Sequence, residues 1–226
     1  MMSKISSPPR GRQQKQSATN KKLSKSSRAW VQRQLNDPYV AEAQKLGYRS
    51  RAAFKIIQLD EKCGLFRPGM TVVDLGAAPG GWSQIAAAKK CKVIAMDLLE
   101  IQPLSGVEFI QGDFSEEEVQ KKLLEMIGGR KVDLVMSDIA PNTTGHHDTD
   151  HMRIMALAEE GFYFAQEVLA EGGAFVCKLF QGGASGDLLQ PLKQSFAKVR
   201  HIKPPASRKD SSELYLVATG FRSGPI

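Results

Sequence analysis

From Thr71 onward the chain alternates short apolar runs with longer stretches of helical periodicity. Thr71–Leu75, Val93–Met96, Val107–Ile110, Val132–Met136 and Ala174–Cys177 are nearly continuous in apolar residues, the pattern of parallel strands buried on both faces. The stretches between them, about 82–90, 115–127 and 151–170, predict crossover helices. Ala197–Ile202 and Leu214–Thr219 predict two closing strands, separated by the basic stretch Lys203–Asp210. This alternation predicts an α/β fold, a doubly wound, mostly parallel sheet with helices on both faces. No internal repeat has a solenoid period.

Upstream of Pro68-Gly69 the pattern is different. Helical character begins between Trp30 and Leu35, Asp37-Pro38 interrupts it, and a second helix-like stretch follows Tyr48-Arg49-Ser50-Arg51 to about Lys62. Ser50 is the expected N-cap. Ala53, Phe54, Ile56, Ile57 and Leu59 form the apolar stripe, while Arg51 and Lys55 fall four apart on one face, so that Lys55 is presented by the helix. Residues 1–28 are polar and rich in Ser, Lys, Gln and Pro, too poor in apolar surface to offset the entropy of ordering. The expected organisation is a disordered basic tail over 1–28 and a single domain over 29–226.

Charge sharpens that division. The net charge is +7, yet residues 1–36 hold nine Lys or Arg and no acid, so the remainder is close to neutral. A near-neutral domain with a basic arm suits a polyanionic partner, because neutralising phosphates gives affinity without sequence preference. A solvated tail without a partner is the alternative. Cys63, Cys91 and Cys177 are odd in number and show no CxxC spacing, which argues against a disulfide framework or zinc site and for a reducing compartment. No apolar run approaches the roughly 18 residues that span a bilayer. A soluble cytoplasmic protein is expected. The acid-free, Ser- and Lys-rich start also resembles a transit peptide, which keeps a mitochondrial location as the alternative.

The strongest local signal is the loop Asp74-Leu75-Gly76-Ala77-Ala78-Pro79-Gly80-Gly81-Trp82 after the first strand. Gly76 and Gly80 allow a tight turn and close approach to a ligand, and the next helix aims its amides into the crevice. Asp97 ends the second strand about 20 residues on, where a carboxylate can accept from ribose hydroxyls. Asp113, past the third strand, is placed to bind an adenine amino group. Ala78 and Pro79 stand where the dinucleotide fingerprint needs its second glycine, so a ligand without a pyrophosphate fits better. S-adenosylmethionine is adenosine-bearing and cationic at sulfur, and a crevice lined by Asp74, Asp97, Asp113 and Asp138 suits it electrostatically.

Several motifs, in order, carry a resemblance over about residues 30 to 220. They are Tyr48–Lys55, Val73–Gln84, Ser137-Asp138-Ile139-Ala140-Pro141-Asn142, Lys178-Leu179-Phe180-Gln181-Gly182 and Ser212–Ala218. Together they are similar to the FtsJ/RlmE family of ribose 2′-O-methyltransferases. The resemblance implies a Rossmann-like class I methyltransferase fold with a seven-stranded sheet and one antiparallel strand. It also implies methyl transfer from S-adenosylmethionine to the 2′-hydroxyl of a uridine in 23S, large-subunit, ribosomal RNA. Lys55, Asp138, Lys178 and Glu213 occupy the positions of that family's catalytic tetrad, and Gly80, Trp82, Asp97, Asp113 and Asp138 those of its cofactor contacts. The long basic start and the His-rich stretch after Asn142 depart from the shared pattern.

The chemistry asks for such a set. Asp138 and Lys178 directly follow parallel strands, hence one sheet edge, and an antiparallel last strand brings Glu213 to the same edge. A hydroxyl attacking a methyl sulfonium must lose a proton, and a lysine serves as base when burial or a second cation eases loss of its own. Lys178 is the expected base, Lys55 and Glu213 orient it and the substrate, and Asp138 bridges toward the methyl donor. His146, His147 and His151 with Asp148 and Asp150 suggest a metal, but nothing in this reaction calls for one, and the segment reads as a loop that closes over substrate. Arg49, Arg51, Arg208 and Lys209 are candidate phosphate contacts, with ordinary surface charge as the alternative. No separate RNA-binding domain is visible, which favours a substrate presented by a large structured particle, the assembled large ribosomal subunit, over a free small RNA; a monomer is expected. A tRNA or mRNA-cap 2′-O-methyltransferase and a non-catalytic ribosome-assembly factor are the alternatives.

Overall fold

The computed structural model describes residues 24–140, 146–180 and 186–223. Residues 1–23 of the expected tail, and Pro141, Asn142, Gln181 and Gly182 of the motifs, lie outside the described residues. Seven strands run β1 (Thr71–Leu75), β2 (Lys92–Asp97), β3 (Val107–Gln111), β4 (Val132–Ser137), β5 (Leu169–Phe180), β6 (Phe196–Ile202) and β7 (Glu213–Phe221). They form one sheet in the order β3-β2-β1-β4-β5-β7-β6. Every pairing from β3 to β5 is parallel, and β7 alone runs against its neighbours β5 and β6. This is the expected Rossmann-like sheet with one reversed strand.

The helices are α1 (Lys25–Leu35), α2 (Pro38–Lys45), α3 (Ala52–Cys63), α4 (Gly81–Ala88), α5 (Glu117–Ile127), α6 (His147–Val168) and α7 (Gly186–Ser195). Because strand side chains alternate between faces, the sheet has two cores. Val72, Leu134, Met136, Val176, Tyr215 and Val217 face α3 and α4, against Ala53, Ile56, Leu59, Trp82 and Ile85. Val73, Leu75, Val135, Phe175, Cys177 and Leu216 face the opposite layer, against Leu123, Phe162, Ala165 and Leu192.

Several boundaries differ from the sequence expectation. α1 begins at Lys25, ahead of the expected tail boundary. Asp37-Pro38 starts a helix instead of only interrupting one: the Asp37 carboxylate accepts from the Tyr39 amide, and Pro38 stands where no amide partner is needed. The N-cap of α3 is Arg51, not Ser50. α6 starts at His147, so the expected loop over 146–151 is the helix's first turns, with Asp148 and Asp150 at its positive end. β5 starts earlier than expected, at Leu169, with a register break against β4 between Val132 and Leu134.

Two details of the turn from β1 to α4 fix the crevice. Gly76 has φ +76°, and a Cβ there would lie 2.7–2.8 Å from Ile139 Cγ1, Cα and N. The end of β4 can approach this turn only because Gly76 lacks a side chain, and the Asp138 amide then donates to the Leu75 carbonyl at 3.0 Å. Asp74, on the α4 side of β1 and fully buried, accepts from Ser83 Oγ at 2.5 Å, while its other oxygen has no hydrogen-bond partner. Burial pushes its carboxyl up to about 7 against the pull of the Ser83 hydrogen bonds, and the nearby Asp138 and Asp97 add to the rise.

Two outcomes follow from this turn. Gly76→Ala should cost at least about 2 kcal/mol in urea unfolding, from left-handed backbone strain plus the contact with Ile139, and should lower activity by shifting Asp138. An Asp74 carboxyl raised in the folded state binds more protons than in the unfolded chain between about pH 4 and 7, so its contribution falls as pH rises across that window. The stability of Asp74→Asn relative to wild type should therefore improve between about pH 5 and 8; a difference that does not change with pH would contradict the assignment.

Candidate active site

Strand register and side-chain parity together assemble the site. Lys178 pairs with Tyr215 across β5 and β7, and Phe180 with Glu213. Glu213 and Tyr215, two apart, project to one face of β7, and Lys178, even with Val176, projects to the same face of β5. Asp138 continues the parity of Leu134 and Met136 just beyond β4. All four thus point toward α3, which supplies Lys55 from its apolar side, 8% exposed.

The contacts form an unbroken chain. Lys55 Nζ lies 2.8 and 2.9 Å from the two Glu213 carboxylate oxygens and donates to Tyr215 Oη at 3.2 Å. Tyr215 Oη donates to Asp138 Oδ1 at 2.8 Å. Lys178 Nζ lies 3.0 Å from the same Oδ1 and donates to the Asp138 carbonyl at 2.7 Å. The four predicted residues therefore do come together, through a fifth that the sequence reading did not single out. Burial pushes the Asp138 carboxyl up, but Lys178 and Lys55, with hydrogen bonds from Lys178 and Tyr215, outweigh it and hold the group below the usual carboxylate range. Burial pushes the Tyr215 phenol well above its ordinary value, and Asp138 and Glu213 push it further, so the hydroxyl keeps its proton.

A cavity of about 330 Å³ opens beside this chain at the carboxyl ends of β1 to β4. It is lined by Gly76, Ala78, Asp97, Asp113, Asp138 and Ile139, among others, and Asp138 is the residue it shares with the tetrad. Of the expected cofactor contacts, Asp97, Asp113 and Asp138 line it. Asp97 accepts from the Ala78 and Leu99 amides at 2.9 and 2.8 Å, which fixes the turn. Asp113 receives both the amide and hydroxyl of Ser115 on Oδ1. The apolar wall includes Met96, Leu98, Leu99, Phe114 and Leu157, none singled out from the sequence. Leu98 and Leu99 are exposed hydrophobics.

Gly80 and Trp82 are not among the residues lining this cavity. Gly80, at φ +100°, packs against Arg49. Trp82 is 2% exposed, donates from Nε1 to the Ala52 carbonyl at 3.0 Å and lays its ring 5.5 Å from that of Tyr215. It joins α3 to α4 and backs the tetrad. All three arginines expected at phosphates make contacts within the protein. Arg49 donates to the Pro79, Gln102 and Pro103 carbonyls, Arg51 to the Ala206 carbonyl, and Arg51 and Arg208 both flank the buried Asp37 at 3.1 and 3.3 Å. Each guanidinium found fixed acceptors nearby, which composition does not reveal; Lys209 stays exposed. Among the described residues no group of three or more His, Cys, Asp or Glu is placed to hold a metal.

Comparison with known proteins agrees with this geometry. Residues 48–221 match the FtsJ-like methyltransferase family. A protein of Acidiphilium cryptum named ribosomal RNA large subunit methyltransferase E is 62% identical over 198 residues, covering 87% of this chain and 88% of the relative. Its namesake from a Bradyrhizobium strain is 56% identical over 220 residues, 95% of each chain. A solved structure described as a putative ribosomal RNA methyltransferase from Plasmodium falciparum superposes with a TM-score of 0.69 at 31% identity, covering 77% of this chain and 98% of that one. The chain belongs to the FtsJ-like methyltransferase family.

Proposed function

We propose that this protein transfers a methyl group from S-adenosylmethionine to the 2′-hydroxyl of a uridine ribose in large-subunit ribosomal RNA, with the assembled subunit as substrate. The observation that carries the reading is the sharing of Asp138 between an acidic, partly apolar cavity and the Lys55–Glu213 and Lys178–Asp138 ion pairs.

The cavity fits the methyl donor. Its volume falls at the lower end of the roughly 300–1,000 Å³ of small-molecule sites, its leucines, Met96 and Phe114 suit a purine face, and Asp97, Asp113 and Asp138 suit hydroxyls, an amino group and a cationic sulfur. When bound, S-adenosylmethionine supplies an electrophilic methyl on that sulfur. The chain supplies position and a proton acceptor. Asp138 engages Lys178 Nζ through its carboxylate and its carbonyl, which leaves one position on the nitrogen for the ribose hydroxyl. In its amine form Lys178 takes the hydroxyl proton as the oxygen closes on the methyl carbon. Lys55, held by Glu213 and Tyr215, is a fixed cation beside the incoming oxygen. Fixing base, oxygen and methyl in line supplies much of the rate through lost entropy alone.

The basic start of the chain, residues 1–28, adds phosphate affinity to the domain of 29–226. A monomer in the cytoplasm is the assembly that fits. The two closely related methyltransferases come from bacteria, whose ribosomes are assembled in the cytoplasm, and Cys63, Cys91 and Cys177 are all free thiols. No helix among the described residues is long and apolar enough to cross a membrane.

The test is to incubate the protein with methyl-labelled S-adenosylmethionine and, separately, tRNA, free ribosomal RNA and unmodified large subunits, then map the label. Label on a ribose 2′-oxygen of subunit RNA is expected; label on a base, or only on tRNA, would overturn the reading. Lys178→Ala should reduce turnover by about 10²- to 10⁴-fold at saturating substrates. Lys178→Arg, which keeps the charge but cannot give up a proton, should be as inactive; an active Arg variant would exclude Lys178 as the base.

A further inference from the structure

Tyr215 touches both ion pairs of the site. Its hydroxyl accepts from Lys55 at 3.2 Å and donates to Asp138 at 2.8 Å, and its side chain is wholly buried. The ring is fixed independently of the hydroxyl: it lies 5.5 Å from Trp82, and Lys55 Nζ sits 5.6 Å from its centroid. Backbone pairing of Tyr215 with Lys178 sets the height of the hydroxyl relative to the proposed base.

We infer that Tyr215 is a positioning residue for methyl transfer, its hydroxyl holding the Lys55–Glu213 pair and the Lys178–Asp138 pair at a fixed separation so that base and methyl donor stay aligned. The inference rests on the functional reading above and adds a residue to it. The chain of polarity is one-way. Lys55 has no acceptor role, so it must donate to the phenol oxygen, and the phenol's single proton is then committed to Asp138. That commitment leaves Oδ1 of Asp138 with a neutral donor on one side and Lys178 on the other. Without the hydroxyl, Lys55 and Asp138 lose their common partner. Two opposite charges otherwise held apart by a neutral group are then free to approach each other, drawing Asp138 from the cofactor cavity and Lys178 with it. Misplacement on the scale of 1 Å costs about 100-fold in rate.

Tyr215→Phe removes the hydroxyl and keeps the ring against Trp82. With wild type shown to label a ribose in the same assay, the variant should lose about 10- to 100-fold in kcat, with KM for S-adenosylmethionine and for ribosomal substrate within about threefold. A residue that serves only packing would not give this split. Because Tyr215 and Glu213 both act through Lys55, their effects should also be non-additive: Tyr215→Phe in a Glu213→Gln background should cost less than in wild type. A near-wild-type kcat, a change confined to KM, or full additivity would each overturn the role. Absence of ribose label from wild type would instead refute the functional reading itself.

Discussion

A half-buried carboxylate shared by a lysine and a phenol, Asp138 between Lys178 and Tyr215, is the interaction around which this molecule is arranged. Burial alone would favour the neutral acid. Two cations and two hydrogen bonds reverse that preference, so the carboxylate remains charged beneath the crevice. The backbone is set for the same end. Gly76 permits the chain after β4 to run against the turn after β1, and the amide of Asp138 is tied to the Leu75 carbonyl. One anion thereby takes part in two sites: it lines the cavity and anchors the tetrad.

Parity explains why these residues meet. Side chains of even number on β1, β4 and β5, and of odd number on β7, face α3 and α4. Asp74, Asp138, Lys178, Glu213 and Tyr215 therefore emerge on one side of the sheet, near strand ends where backbone pairing runs out. The helix layer must meet them with a cation, and α3 does so with Lys55. α3 is itself held by Arg51 and Gln58 to the segment that precedes β7, through the carbonyl and amide of Ala206. The same segment thus steadies both partners of the Lys55–Glu213 pair.

Much of the fold was legible because buried parallel strands are written as apolar runs, and all seven strands lie where those runs stand. The tetrad was legible through motif order and strand ends. Less visible were features that depend on partners distant in sequence. Tyr215 reads as one more apolar strand residue until its pairing with Lys178 is known. Arg49 and Arg51 read as free cations until the carbonyls of Pro79, Gln102 and Ala206 are placed beside them. Trp82 reads as a ligand contact from its motif, which does not show that its indole also ties α4 to the Ala52 carbonyl of α3. The start of α6 at His147 and the whole of α7, which contains Pro191, escaped the periodicity.

The central claim, that cofactor cavity and tetrad are one site joined at Asp138, is tested most directly by a structure with S-adenosylhomocysteine and an RNA oligonucleotide bound together. The account predicts the thioether sulfur beside Asp138 in the cavity of Gly76 and Asp97, with a ribose 2′-oxygen within about 3 Å of Lys178 Nζ. A ribose bound away from Lys178, or a nucleobase edge in its place, would contradict it.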